Sequence, residues 1–222
     1  MYTPYDWQEG IGHRAQFVEG RLTQGTPAIG LSLKEGVLVL TWRRQARKVF
    51  EVYDRLAFSA IGRQSDIEAL RVAAVDFAHK EGYSRSEQDV TIQRVVAALS
   101  DPVKRAFGDF NSGPFVVRSL FAEVNASPED DLFYVLEYDG DFRASKGHGL
   151  VAGTEEQAKT LEENVSGLAL KKLSASDALA AAGGFWPPPG DESGEETTVE
   201  AVLIERSAAR ENRFRYLTGD PE

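Results

Sequence analysis

The chain is 222 residues long, carries a formal net charge of −10 and contains no cysteine. The length suits one large domain or two small ones, the missing thiols exclude disulfides and thiolate metal sites, and the negative charge argues against a nucleic-acid or anionic-membrane surface. No stretch approaches the ~20 apolar residues of a membrane span, and MYTPYDWQEG has no basic region leading into an apolar run, so no export signal and a cytoplasmic location are expected.

Residues 1–7 are aromatic and contain Pro4, and read as a short irregular arm. Ile11, Ala15, Val18 and Leu22 then recur at helical spacing, with Arg14, Glu19 and Arg21 on other faces, and Gly25 closes this leading helix, 8–24. Ala28 to Trp42 reads as a hairpin around Lys34-Glu35-Gly36. The basic loop WRRQAR, with Arg43, Arg44 and Arg47, leads into KVFEVYDRLAFSAIG. That stretch gives two short strands, the second apolar on both faces and therefore expected to be buried on both.

Ser65 with Glu68 has the spacing of a capping box for a helix carrying Ile67, Leu70, Ala74 and Phe77, which Gly82 is expected to stop. A second helix starts near Ser86 or Glu87, is interrupted at Asp101-Pro102, and continues its apolar face to Phe107 and Phe110. PFVVRSLFAEV and LFYVLEYDGDFRAS read as strands, with Tyr138-Asp139-Gly140-Asp141 as a turn. The turn's carboxylates lack the ligand series of a calcium loop. Thr154 caps a helix, SASDALAAAG is a shorter one, and 183–196 is a Gly/Pro/acid-rich flexible loop. TTVEAVLIER and FRYLT are the closing strands. The three histidines, His13, His79 and His148, show no metal-ligand spacing.

Blocks of strands alternate with blocks of helices. The expectation is an α+β fold: two stacked antiparallel sheets flanked by helices, in one domain over 1–222.

In register over most of the chain, HRAQFVEGRLTQG with AIGLSL, RKVFEVYDRLAFSAIGRQSDIEALR, DFAHKEGYSRSEQDVTIQRV, PFVVRSLFAEV and FYVLEYDGD resemble the proteasome subunit family, and within it the bacterial α type. The resemblance implies the four-layer α-β-β-α sandwich of N-terminal-nucleophile hydrolases. It implies seven-membered α rings that cap rings of β subunits, admit unfolded protein and dock a ring-shaped ATPase activator, with no cofactor. By the same resemblance Lys48 receives the terminal carboxylate of an activator tail, with an apolar wall from Phe50 or a neighbouring subunit. Tyr2, Pro4, Tyr5, Asp6 and Trp7 would form the gate.

Two alternatives stay open at this point. Active members of the family use an N-terminal threonine whose amine serves as base, and Gly25-Thr26 stands where a precursor would be cut. Against Thr26 as a nucleophile stand Pro27, the amphipathic helix upstream, and Trp42 at the register of the supporting carboxylate. The other alternative is a stand-alone binding module.

Overall fold

In the computed structural model, residues 4–185, 197–207 and 212–218 are described. The expected loop at 183–196 lies mostly outside them, from residue 186 on, as does Tyr2.

Helix α1 runs Pro4–Leu22 and is followed by strands β1 (Ala28–Ser32), β2 (Gly36–Arg43), β3 (Val49–Tyr53) and β4 (Leu56–Gly62). Helices α2 (Gln64–Ser84) and α3 (Ile92–Gly108) precede β5 (Val117–Glu123), β6 (Leu132–Leu136), β7 (Phe142–Ser145) and β8 (His148–Val151). Helices α4 (Glu155–Ser166) and α5 (Ala175–Ala182) and strands β9 (Thr198–Glu205) and β10 (Phe214–Tyr216) complete the chain. One sheet has the order β10-β9-β2-β1-β8 and the other β3-β4-β5-β6-β7, with every pairing antiparallel.

The period of two along each strand divides the core. In β4, Leu56, Phe58 and Ala60 pack with Ile67, Leu70 and Ala74 of α2 and Val95, Val96 and Leu99 of α3. The alternate residues Ala57 and Ile61 meet Val37 and Val39 of β2 and Val202 and Ile204 of β9 between the sheets. The other faces of β1 and β2, through Ile29, Leu31, Leu38 and Leu40, are covered by Leu161 and Val165 of α4 and Ala175, Ala178 and Ala182 of α5. The result is the expected α-β-β-α sandwich. Helix α1 lies across one end, inserting Val18 and Leu22 into the inter-sheet core.

Several local readings change. The first helix begins at Pro4, so Tyr5, Asp6 and Trp7 form its opening turns instead of an irregular arm. Proline costs nothing where the N–H has no intrahelical partner, and Asp6 suits the positive end of the helix dipole. The Ser65–Glu68 capping box does not form: Arg63 is the N-cap without a side-chain bond, Ser65 Oγ meets Asp66, and Glu68 pairs with Arg71. Gly82 lies within α2, which ends at Ser84; its missing side chain admits the Tyr53 hydroxyl, which stands where a Cβ would be. Helix α3 passes through Pro102 without interruption and ends at Gly108, so Phe110 lies beyond it under the Arg14 guanidinium. Its N-terminus is capped from a distance, as buried Glu123 of β5 accepts from Ile92 N at 3.1 Å. Arg14, placed off the apolar stripe of the leading helix, donates to the Ala106 and Ser112 carbonyls, both at 3.0 Å, and ties α1 to the end of α3. The DGD segment is a hairpin turn in which Asp139 Oδ1 accepts from Asp141 N and Gly140 takes φ +88°.

A second buried carboxylate joins the two sheets. Asp131, with no exposed surface, receives both arms of Arg206 at 2.7 Å and bonds Ser32 Oγ and Asn125 N. Removing the guanidinium would leave this charge buried and uncompensated, a change that costs about 3–5 kcal/mol. Urea denaturation at fixed protein concentration should show Arg206→Ala destabilised by that order, and Asp131→Leu combined with Arg206→Met recovering much of the loss.

Candidate functional site

At one end of the sandwich the inter-sheet space turns polar, because Thr41 of β2 and Glu200 of β9 continue the inward faces that Val39 and Val202 begin. Both are buried. Beside them opens a cleft of about 1270 Å³ whose lining includes Thr26, Trp42, Lys48, Ile61, Gln157 and Phe185. The segment joining α1 to β1 supplies Thr26, the end of β2 Trp42, the approach to β3 Lys48, the end of β4 Ile61, and α4 Gln157.

Lys48 is held at both ends. Its Nζ donates to the Thr26 carbonyl at 3.0 Å and stands 3.4 Å from Thr41 Oγ1, whose own proton goes to the Pro27 carbonyl at 2.7 Å. Its backbone N–H donates to Glu200 Oε2 at 2.8 Å, and Val49 N–H reaches Oε1 at 3.4 Å. Arg43 Nε lies 3.9 Å from the same carboxylate. Burial lowers the Lys48 pKa to about 8, opposed by the negative charge of Glu200. Burial likewise raises the pKa of Glu200, opposed by the two backbone N–H groups and by Arg43 and Arg47.

The cleft therefore presents one half-buried ammonium with a protein-facing side already bonded and a cleft-facing side beside apolar wall residues. Such a point charge suits a single carboxylate, and partial removal from water strengthens the pair. Phe50, one of the two expected sources of that wall beside a neighbouring subunit, points the other way: it packs with α2 under the Arg71 guanidinium, 5.1 Å from the ring centroid. Trp42, Ile61 and Phe185 take its place. The basic loop is only partly a solvated face, since Arg43 engages Glu200 and Arg47 stacks on Tyr216 at 4.4 Å.

Thr26 and Lys48 do come together, but not as a peptidase. The Lys48 contact is to the Thr26 backbone carbonyl, Trp42 offers no carboxylate, and α1 ahead of Thr26 is built into the core through Val18 and Leu22. Cutting at Gly25–Thr26 would remove two fully buried core residues. Tyr5, Asp6 and Trp7 stand apart from the cleft, with Tyr5 82% and Trp7 54% exposed; the side chain of Pro4 lies outside the described residues. Among the described residues no group of three metal-ligating side chains forms and no helix is long and apolar enough to cross a membrane.

The sequence profile of proteasome subunits matches residues 22–182. The chain is 34% identical to proteasome subunit alpha of Xylanimonas cellulosilytica over 93% of its own length and 87% of that protein's. It is 29% identical to proteasome subunit alpha of Acidothermus cellulolyticus, covering 97% and 92%, and 30% identical to that of Kineococcus radiotolerans, covering 99% and 95%. This chain belongs to the proteasome subunit family. Within the family it is of the α, non-catalytic type, in accord with a helix ahead of Thr26 that is anchored in the core through Val18 and Leu22. It assembles with other proteasome subunits.

The functional residue that sequence reasoning missed is Glu200. It stands 152 positions from Lys48, and its only signal was an acid flanked by the apolar residues Val199 and Ala201 inside TTVEAVLIER.

Proposed function

We propose that this chain forms the seven-membered α ring of a cytoplasmic proteasome core particle, as one domain over its whole length. The ring stacks on β subunits and receives a ring-shaped ATPase activator, whose tail carboxylates seat on Lys48. Unfolded protein passes through its axis, narrowed by the first residues: Tyr2, Pro4, Tyr5, Asp6 and Trp7. The observation that carries the docking reading is the Lys48 ammonium, fixed on its inner side by the Thr26 carbonyl and facing an open cleft with an apolar wall.

Activator-stimulated degradation by assembled particles tests it. Lys48→Ala should leave rings and basal peptide hydrolysis intact and weaken stimulation several-fold, and Lys48→Glu should be worse through like-charge repulsion. Equal stimulation of all three particles would place docking elsewhere. The pH dependence has a definite sign. With its pKa at about 8, Lys48 is charged below that pH and discharges above it, so docking should weaken as pH rises through about 8. Lys48→Arg, which stays charged, should flatten that fall. For folding the sign is opposite. The unfolded chain keeps this proton up to about 10.5, so the contribution of Lys48 to stability grows between about 8 and 10.5.

The gate reading rests on Tyr5 and Trp7, large aromatic side chains exposed on the first turns of α1. Single aromatic residues on a surface need no explanation, but two at a helix start suit a contact with other copies at an axis. Deleting residues 1–7 should speed degradation of an unstructured protein by the assembled particle and affect small peptides less. Equal rates for intact and truncated particles would remove the gate.

A further inference from the structure

Glu200 has no part in a docking surface as such: it is 1% exposed and faces the inter-sheet core. Burying a carboxylate is costly unless its oxygens are bonded. Here the bonds go to the two backbone N–H groups that flank the Lys48 Cα, Lys48 N at 2.8 Å and Val49 N at 3.4 Å, with Arg43 Nε 3.9 Å away. These contacts fix the entrance of β3 against β9, a strand of the other sheet. They therefore set the origin from which the Lys48 side chain reaches the cleft. The same negative charge lies close enough to oppose the discharge of the ammonium that burial favours.

We propose that Glu200 is a positioning residue for the cleft, holding the backbone that carries Lys48 and keeping the ammonium in place and charged for an incoming carboxylate. The proposal rests on the docking reading of Lys48. The charged groups about Lys48 are Glu200 from β9, Arg43, Arg44 and Arg47 from the end of β2 and the loop after it, and Glu156 from α4; α2 contributes uncharged Gln64. Glu200 is the one of these whose carboxylate is bonded to the Lys48 backbone. It acts in two directions. Its charge favours the protonated lysine, and the same charge repels a ligand carboxylate. Replacing it by glutamine, which is nearly isosteric, removes both effects and leaves an oxygen acceptor for Lys48 N–H. The consequence is an affinity change that depends on pH. A merely structural defect would weaken binding at every pH.

Two measurements on assembled particles separate the possibilities. Trace acetylation with acetic anhydride across a pH series, read by mass spectrometry on the peptide containing Lys48, reports where that side chain loses its proton. The midpoint should lie near 8 in the wild type, fall in Glu200→Gln, and lie between the two in Glu200→Asp, which keeps the charge but draws it back. Binding of a fluorescent pentapeptide ending in leucine, as the free acid and as the C-terminal amide, reports docking. The ratio of Glu200→Gln to wild-type affinity for the free acid should drop several-fold between about pH 7 and about pH 9. Coincident acetylation midpoints in wild type and Glu200→Gln, or a loss of affinity that is the same at every pH, would overturn the proposal. If acid and amide bind alike, it is the docking reading of Lys48 that fails, and acetylation still decides whether Glu200 governs the lysine. Glu200→Asp serves both measurements should the glutamine variant not assemble.

Discussion

The constraint from which this architecture follows is that β4 and its sheet are apolar on both faces. Leu56, Phe58 and Ala60 must be covered on one side and Ala57 and Ile61 on the other. Burial of apolar area is the largest favourable contribution to folding, and a sheet with two such faces requires a layer on each. The same holds for β1 and β2, whose alternate residues feed the inter-sheet core and the α4–α5 cluster. Two sheets with four apolar faces give four layers. The close-packed faces leave the ends of the sandwich as the places where strands give way to loops. One end is closed by α1. Beside it the loops after α1, β2 and β4 and the start of α4 leave the cleft that holds Lys48.

Buried carboxylates mark the ends of these strands, and each is satisfied differently. Asp131 has a bidentate arginine and two further donors, an arrangement that joins the sheets without facing an opening. Glu123 divides its oxygens between Arg55, at 3.0 Å, and the first N–H of α3, so a strand residue caps a helix 31 positions earlier. Glu200 has the weakest side-chain partner, Arg43 at 3.9 Å, and relies on main-chain N–H groups. A carboxylate partnered in this way leaves the nearby lysine ammonium unneutralised by a direct pair. That separates Glu200 from the other two: its site has positive charge still to offer.

Much of the fold was legible because it rests on local periodicity. The β-branched and aromatic run VFEVY, the continuous apolar run LAFSAIG, the stripe of α3 and the capping threonine of α4 all act within a few residues, and Thr154 Oγ1 does accept from Gln157 N. What was not legible depends on partners distant in the chain. Ser65 and Glu68 have capping-box spacing, yet Arg71 claims Glu68 and Asp66 is drawn to Val116 N at 2.8 Å. Gly82 looks like a helix stop until Tyr53 is seen beside it. At the site, Lys48 was found through resemblance, and Trp42 was noted only for the carboxylate it is not. That Trp42 and not Phe50 walls the cleft follows from which face of its strand each occupies, and strand β3 turns Phe50 towards α2. Glu200 could have been suspected as an acid flanked by the apolar residues Val199 and Ala201, but its partners could not have been named.

The proposed ring needs a separate catalytic subunit beside this chain. Native mass spectrometry of the chain co-expressed with a β-type partner whose mature form begins with threonine tests it most directly. A stacked particle with seven copies of this chain in each outer ring is expected, with peptide hydrolysis that disappears when the partner's threonine is replaced. A monomer that never joins the partner, or hydrolysis that survives that replacement and depends on Thr26, would contradict it.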